Sequence, residues 1–334
     1  MTAPTAFRPP VCAADALVRW PDAFGTRFCL FVDTEEEFDW TAPFRRDGHA
    51  TTAMSALPQA HRRFAERGIA VAYLADYPVA TDSGSVEALQ AVLADGRSEV
   101  GAQLHPWVTP PASEILSAVN SFAGNLPEAL EAAKLDRLGR AIEKAFGRAP
   151  RIYRAGRYGL GPNSLRLLAA RGYRIDSSMR AGFDYSREAG PDYCAIGSHA
   201  CRVGPRQGIL ELPLTTVFTG RARAAGAGLH ARLARVPRAS GVFARLGLLN
   251  RVPLTPEGVR LTEALEAIRV AVGEGVRLLN FAFHSPSLVP GHTPYVRDAA
   301  DLRRFWQWWD GVLDLLDRSG VLPAAPDEIL AAAA

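Results

Sequence analysis

The sequence is short of cysteine, has no long apolar run, and carries no strong excess of charge of either sign. Four cysteines in 334 residues (Cys12, Cys29, Cys194 and Cys201) are too few for a disulfide-built scaffold, so reduced thiols and a cytoplasmic location are the expectation. Cys194 and Cys201 enclose His199, but the spacing matches no usual zinc pattern. No stretch approaches the roughly 20 apolar residues of a membrane span. The opening MTAPTAFRPPVCAADAL has no basic segment followed by an apolar one, so a secretory signal is not expected. With 38 basic against 35 acidic residues the net charge is +3, which leaves no electrostatic footprint for nucleic acid. At 48% hydrophobic and 22% charged the chain can bury a full core, as one large α/β domain or two smaller ones.

The most informative stretch is Phe28 to Trp40, FCLFVDTEEEFDW. Its apolar, β-branched and aromatic start reads as a buried strand. Asp33, Glu35, Glu36, Glu37 and Asp39 follow at once. Ligands of α/β folds bind at the carboxyl ends of parallel strands, so this acidic cluster is a candidate site; a solvated acidic turn is the alternative.

Further strands are expected at 69–75, 99–104, 151–154, 173–175, 208–212 and 276–283, alternating with helices over 57–67, 86–93, 127–146 and 163–170. Alternation of this kind builds parallel βα units. Asp33, Asp76, His105, Arg154, Asp176 and His284 all fall at or just past strand ends, the positions a barrel gathers on one face. Residues 1–27 read as a wrapped arm, and 106–126 as a long loop rich in proline and small residues. The segment 221–256 breaks the alternation. It has seven arginines and no acid, and reads as an inserted basic helical excursion. Its basic face could bind an anionic sugar or lipid phosphate; a solvated helix salt-bridged to the acidic body is the plainer reading. A helix over 297–318 carries Phe305, Trp306, Trp308 and Trp309, expected to pack on the barrel, and the AAAA terminus is expected to fray.

Five ordered motifs, FVDTEEE, LHPWVTP, YRAGRYG, the Asp176 of IDSSM, and FAFHSPS, together resemble those of the polysaccharide deacetylases, carbohydrate esterase family 4 with the NodB-type homology domain. The nearest likeness is to the WalW-like branch of bacterial surface-polysaccharide loci. The resemblance implies a NodB-type distorted (β/α)7 barrel, with residues 1–334 as a single domain. It implies a hydrolase that removes N-acetyl or related acyl groups from a carbohydrate or glycolipid at the cell surface.

In that likeness Asp33 is the general base, Arg154 orients and tunes it, and His284 is the general acid. Glu35 and His105 hold a divalent metal, zinc first, with nickel or cobalt as alternatives. Glu35 shares the face of Asp33 if the strand continues. Trp107, Tyr158 and Asp176 fall in the substrate-binding motifs. Two departures stand out. Thr109 occupies the place of the second metal histidine, and Thr34 that of the common metal aspartate. Glu36, Glu37, Asp76 and His49 are left as candidates to complete the site. Gly156 replaces a proline of the third motif, a change expected to affect loop stiffness and not chemistry. A metal-free amidohydrolase of the same fold and a catalytically silent carbohydrate-binding protein are the alternative functions.

Overall fold

The computed structural model describes residues 6–39, 42–234, 236 and 238–334. The first five residues of the expected arm, Trp40 at the end of the acidic stretch, and Arg235 and Pro237 of the basic excursion lie outside the described residues.

Among the described residues eleven strands are formed: β1 (Arg27–Thr34), β2 (Val71–Ala75), β3 (Glu99–Leu104), β4 (Ile152–Ala155), β5 (Ile175–Asp176), β6 (Cys201–Val203), β7 (Ile209–Glu211), β8 (Thr216–Thr219), β9 (Asn250–Pro253), β10 (Leu278–His284) and β11 (Leu322–Pro323). The helices are α1 (Leu57–Ala65), α2 (Tyr77–Thr81), α3 (Ser83–Leu93), α4 (Glu128–Phe146), α5 (Ser164–Ala170), α6 (Gly226–Leu233), α7 (Ala239–Arg245), α8 (Leu261–Gly273), α9 (Ala299–Arg318) and α10 (Pro326–Ala332). The main sheet runs β10-β1-β2-β3-β4-β5-β7-β6. From β10 to β7 every pairing is parallel, and only β6 runs antiparallel at the edge. Those seven parallel strands are the ones expected from the sequence. They curl into a half-barrel with helices around it, the distorted barrel that was anticipated.

Period-two alternation sorts each strand between two cores. On β1, Phe28, Leu30 and Val32 face outward under α1, α8 and α9, in a cluster that also holds Phe305, Trp308 and Trp309. Cys29 and Phe31 face the interior with Ile152, Ile175 and Leu210, where Ile329 and Leu330 of α10 plug one end. Asp33 continues the interior parity. So do Arg154 after Ile152 and Gln103 after Gly101, while Asn280 and His284 fall in step on β10. The interior is therefore apolar at one end and polar at the end where the parallel strands finish. Across the open side Asn280 ties the strands together, its Nδ2 donating to Ser177 Oγ at 2.9 Å and to Leu212 O at 2.8 Å.

Several expectations change. The sulfurs of Cys12 and Cys201 are bonded, with their Cα atoms 6.3 Å apart, so these two are not free thiols and Cys201 cannot join Cys194 and His199 in a metal knuckle. The bond fastens the arm to β6, where Leu17 also bridges Cys201. The terminus does not fray: Ala332 and Ala333 pack against the interior core and Arg202 donates to Ala333 O. The basic excursion does contain α6 and α7, but it stands on an antiparallel hairpin of β8 and β9. The long loop after His105 is pinned from below by the buried Lys134, which donates to Pro106 O at 2.9 Å and Pro111 O at 2.8 Å and pairs with Glu114 at 3.1 Å.

Candidate active site

Strand register builds the site. Asp33 on β1 lies beside His284 on β10, and Gln103 on β3 beside Arg154 on β4. These side chains, with Glu35, His105 and Tyr158, line one cleft of about 220 Å³. Asp33 is 2% exposed. Its Oδ1 accepts from Arg154 Nη1 at 2.5 Å, and its Oδ2 lies 3.5 Å from His284 Nε2. Arg154 is fixed in turn by donating to Ser177 O and Ser177 Oγ, each at 2.9 Å. Glu35 stands 3.5 Å from His105 Nε2, and its backbone N–H donates to Ser285 Oγ at 3.1 Å. Of the expected residues, the structure brings Asp33, Glu35, His105, Arg154, His284 and Tyr158 to this cleft.

Trp107 and Asp176 are not there. Trp107 is buried beneath the cleft, stacked on the His105 ring at 4.4 Å and donating its Nε1–H to Glu36 at 2.7 Å. Asp176 has the opposite parity to the interior Ile175, so it points away from the cleft and pairs across the sheet with Glu211. It is fully buried, and burial lifts its carboxyl to about 6, hydrogen bonds from Glu211 and Ser178 pulling the other way. Neither side chain can touch a ligand in the cleft, so both expected substrate contacts are corrected to supporting roles. Of the residues left open to complete the site, Glu37 accepts from Thr52 Oγ1 and Ala53 N, and the His49 ring reaches Arg45 O. Both belong to a neighbouring loop.

Glu36, Asp76 and His105 bring ligand-type atoms within 4.8 Å of one another, a possible metal site. Every one of those oxygens already has a donor. Asp76 caps α2, accepting from Val79 N at 2.9 Å, and accepts from Glu36 N at 2.8 Å. Glu36 accepts from Trp107 and meets His105 Nδ1 at 2.8 Å. Burial, reinforced by the charge of Glu36, raises the Asp76 carboxyl well above its usual range. Burial raises the Glu36 carboxyl as well, against hydrogen bonds from Asp76 and Trp107; its side chain orients His105 and leaves Nε2 toward the cleft, as carboxylates commonly do behind metal-binding histidines. The second such grouping among the described residues, Asp184, Asp192 and Cys194, lies at the surface, with Arg8 already paired to Asp192 at 2.9 Å.

Two residues missed by sequence reasoning complete the cleft. Glu257 grips His284 at two points, its Oε1 accepting the backbone N–H at 3.1 Å and its Oε2 lying 2.6 Å from Nδ1. Burial works against a charged imidazole, but the negative fields of Glu257 and Glu35 outweigh it and lift His284 to about 10. Glu257 lies 27 residues before its partner, and its one sequence signal is that it is the first acid after the acid-free stretch 221–256. Gln103 is 2% exposed, and its side-chain oxygen is buried without a hydrogen-bond partner. Its signal is the two-residue step to His105, which puts both on one strand face.

The cleft's donor set suits a divalent cation. It offers one carboxylate, one imidazole nitrogen set by a carboxylate behind it, and an orphaned amide oxygen. Burial raises Glu35 to about 8, against the pull of His284 and His105, so without a cation its charge is poorly compensated. Thr109 adds nothing to the cleft, since its hydroxyl is buried and unpartnered elsewhere. Gly156 matters more than expected. A Cβ there would lie 2.2 Å from His105 Cδ2 and 2.6 Å from Leu104 O, so glycine makes room for the histidine ring.

No protein-family profile matches the chain, and no curated protein sequence matches it. Solved structures do. A protein from Mycobacterium smegmatis assigned as a polysaccharide deacetylase aligns with TM-score 0.54 at 18% identity, over 96% of this chain and 94% of its own. A protein from Parabacteroides distasonis assigned as a glycoside hydrolase/deacetylase gives 0.54 at 12% identity, over 92% of this chain and 71% of its own. One from Pseudomonas aeruginosa PAO1 assigned as a polysaccharide deacetylase gives 0.50 at 13% identity, over 93% and 92%. At these identities the likeness shows the fold: this chain has the barrel of those deacetylases. Among the described residues no helix is long and apolar enough to cross a membrane.

Proposed function

We propose that the protein is a hydrolase that cleaves the amide of an N-acylated sugar, releasing the acid and a free amine. The observation that carries this reading is one cleft in which Asp33 meets Arg154 at 2.5 Å and His284 at 3.5 Å, with Glu35 and His105 3.5 Å apart beside them. The WalW-like branch and a cell-surface sugar or its lipid-linked precursor are the finer reading that the sequence motifs support.

Arg154 occupies Asp33 Oδ1, which leaves Oδ2 to take a proton from an attacking water. The same guanidinium fixes the orientation of the buried carboxylate for that role. As the water's oxygen joins the acyl carbon, the C–N bond breaks and His284 gives the departing nitrogen its proton. Glu257 keeps that imidazole protonated and aimed. Glu35 and His105 Nε2, with the Gln103 amide oxygen, would hold a divalent cation, zinc or else nickel or cobalt, and a bound cation there supplies Lewis acidity to the acyl carbonyl and the water. Tyr158 gives the cleft an aromatic wall for the sugar ring.

One observation favours a metal-free amidohydrolase instead: Thr109 stands in the place of a second histidine and does not line the cleft. The location is a proposal too. The Cys12–Cys201 bond favours an oxidising compartment over the cytoplasm.

The test is acetate release from N-acetylated oligosaccharides, with and without a chelator, alongside metal content of the purified protein. Chelator-sensitive release that is lost in Asp33→Asn is expected. Release that survives complete metal removal would sink the metal-dependent reading. Absence of both metal and release, for wild type and Asp33→Asn alike, would leave a carbohydrate-binding protein.

A further inference from the structure

Three guanidiniums line the cleft, those of Arg154, Arg157 and Arg180. Two are matched by carboxylates: Arg154 pairs with Asp33 and Arg157 with Glu188. Arg180 forms no ion pair among the described residues. Its Nη1 donates to the Tyr185 hydroxyl at 3.1 Å, and its Nε is buried with no hydrogen-bond partner. Leaving a buried donor on a charged group unmade is costly, more so than for a neutral one.

The surroundings hold this cation in place without neutralising it. Its guanidinium carbon lies 4.0 Å from the Phe183 ring centroid and 5.3 Å from that of Tyr158. On the same Phe183 ring, 3.5 Å from its centroid, sits Arg251 of β9, which donates to Gly182 O at 2.7 Å. Arg251 belongs to the basic excursion, and it too forms no ion pair among the described residues. Aromatic faces orient guanidiniums and desolvate them. The neighbouring loop is also held in an unusual shape: Arg157 and Tyr158 take φ of 54° and 58°, a left-handed conformation that non-glycine residues rarely adopt.

We propose that the cleft recognises an anionic N-acyl sugar, with a carboxylate or phosphate of the substrate seated on Arg180 while its acyl amide lies between Asp33 and His284; this rests on the deacylase reading of the cleft. A planar guanidinium with an unpartnered Nε–H and an adjoining Nη–H presents the fork that carboxylates and phosphates bind at two points. The buried Nε is thereby satisfied by the substrate, and neutral sugars leave it orphaned. Selectivity arises from that difference.

The test is calorimetric binding of three probes to wild type, Arg180→Gln and Arg180→Lys: N-acetylglucosamine, N-acetylglucosaminuronic acid and N-acetylglucosamine 1-phosphate. Wild type is expected to bind at least one anionic probe about tenfold or more tighter than the neutral sugar, the size of one charge-assisted pair. Which anion wins separates a uronic acid from a sugar phosphate. The advantage should shrink with added salt, vanish in Arg180→Gln and weaken several-fold in Arg180→Lys, which keeps the charge and loses the fork. Equal binding of all three probes, or an advantage that survives Arg180→Gln, overturns the proposal. Should Arg180→Gln lose its cooperative thermal transition, Arg180→Lys decides, and an undiminished advantage there overturns it. Acetate release run in parallel separates the two readings. Anion preference without release from any probe removes the deacylase reading and leaves the anion seat. Release from neutral and anionic probes with no binding preference removes the seat and leaves the deacylase reading.

Discussion

Glu36 Oε2 sits 2.8 Å from His105 Nδ1, behind a ring whose opposite nitrogen lies 3.5 Å from Glu35. The pair sets which edge of the imidazole faces the cleft, and Trp107 closes it from below by stacking on the ring and donating to Glu36. Carboxylates in this position typically contribute about 10–100-fold in metal affinity. Glu36→Gln keeps the shape and removes the charge. It should weaken zinc binding by that order, read by competition with a chromophoric chelator, while the thermal unfolding midpoint shows the fold intact. Unchanged affinity would mean that Glu36 only fills space.

His284 depends on Glu257 in a way that pH can read. Burial alone would make the imidazole a weak cation; Glu257, then Glu35, reverses this and places it at about 10. A general acid works while protonated, so the rate falls as pH rises through that value. Glu257→Gln removes the largest opposing charge. The alkaline limb of kcat/KM should then move down from near 10 toward the roughly 6.5 of an ordinary imidazole. The folded-state shift also has a stability sign. A raised histidine contributes stability that is fully present below about 6.5 and lost as pH climbs through the folded value. The variant should lose that alkaline dependence. A limb that stays where it is in wild type would remove His284 from the acid role.

Gly156 tests how closely the third motif approaches His105. A methyl group there meets the ring at 2.2 Å and Leu104 O at 2.6 Å, both inside contact distance and one of them backbone. Gly156→Ala should therefore displace the ring or the loop. Overpacking of this kind costs about 1–3 kcal/mol. Loss of metal affinity should accompany the loss in urea stability. Stability loss without any change in metal binding would show that the loop moves and the ring does not.

Most of the fold could be read from residue order because most of the seven parallel strands are apolar runs with a polar residue at or just past the end. Asp33, His105, Arg154 and His284 came from the same signal. What escaped was either short or remote. Strands β6 and β11 have three and two residues, too few for periodicity to show, and β8 and β9 flank an insertion whose composition is dominated by arginine. Asp176 was misplaced by counting strand ends without counting parity, since one step from Ile175 reverses the face. Trp107 looked like a ligand-facing aromatic because its motif supplies His105, whereas its indole N–H is needed by Glu36 below. Glu257 comes from a turn before α8 that pairs with no strand. Arg180 follows β5 by four residues and is given its place by Phe183 and Tyr185, whose positions depend on the loop's path.

Arg154 and Asp33 form a buried pair, 1% and 2% exposed, in which neither charge has water to fall back on. Removing the cation alone leaves a carboxylate without compensation, which typically costs about 3–5 kcal/mol. Arg154→Met should destabilise the protein by that order in urea unfolding. Asp33→Asn should cost less, because an amide accepts from the guanidinium and the cation keeps Ser177 as acceptor. The double variant should recover part of the Arg154→Met loss, since the orphaned charge is gone, but not all of it. Arg154 also donates to Ser177 O and Ser177 Oγ, and Ser177 Oγ is shared with Asn280 across the open side of the barrel. A coupling energy near zero between the two positions would mean that Asp33 and Arg154 do not act as one unit, and the loss in Arg154→Met would then belong to the Ser177 contacts alone.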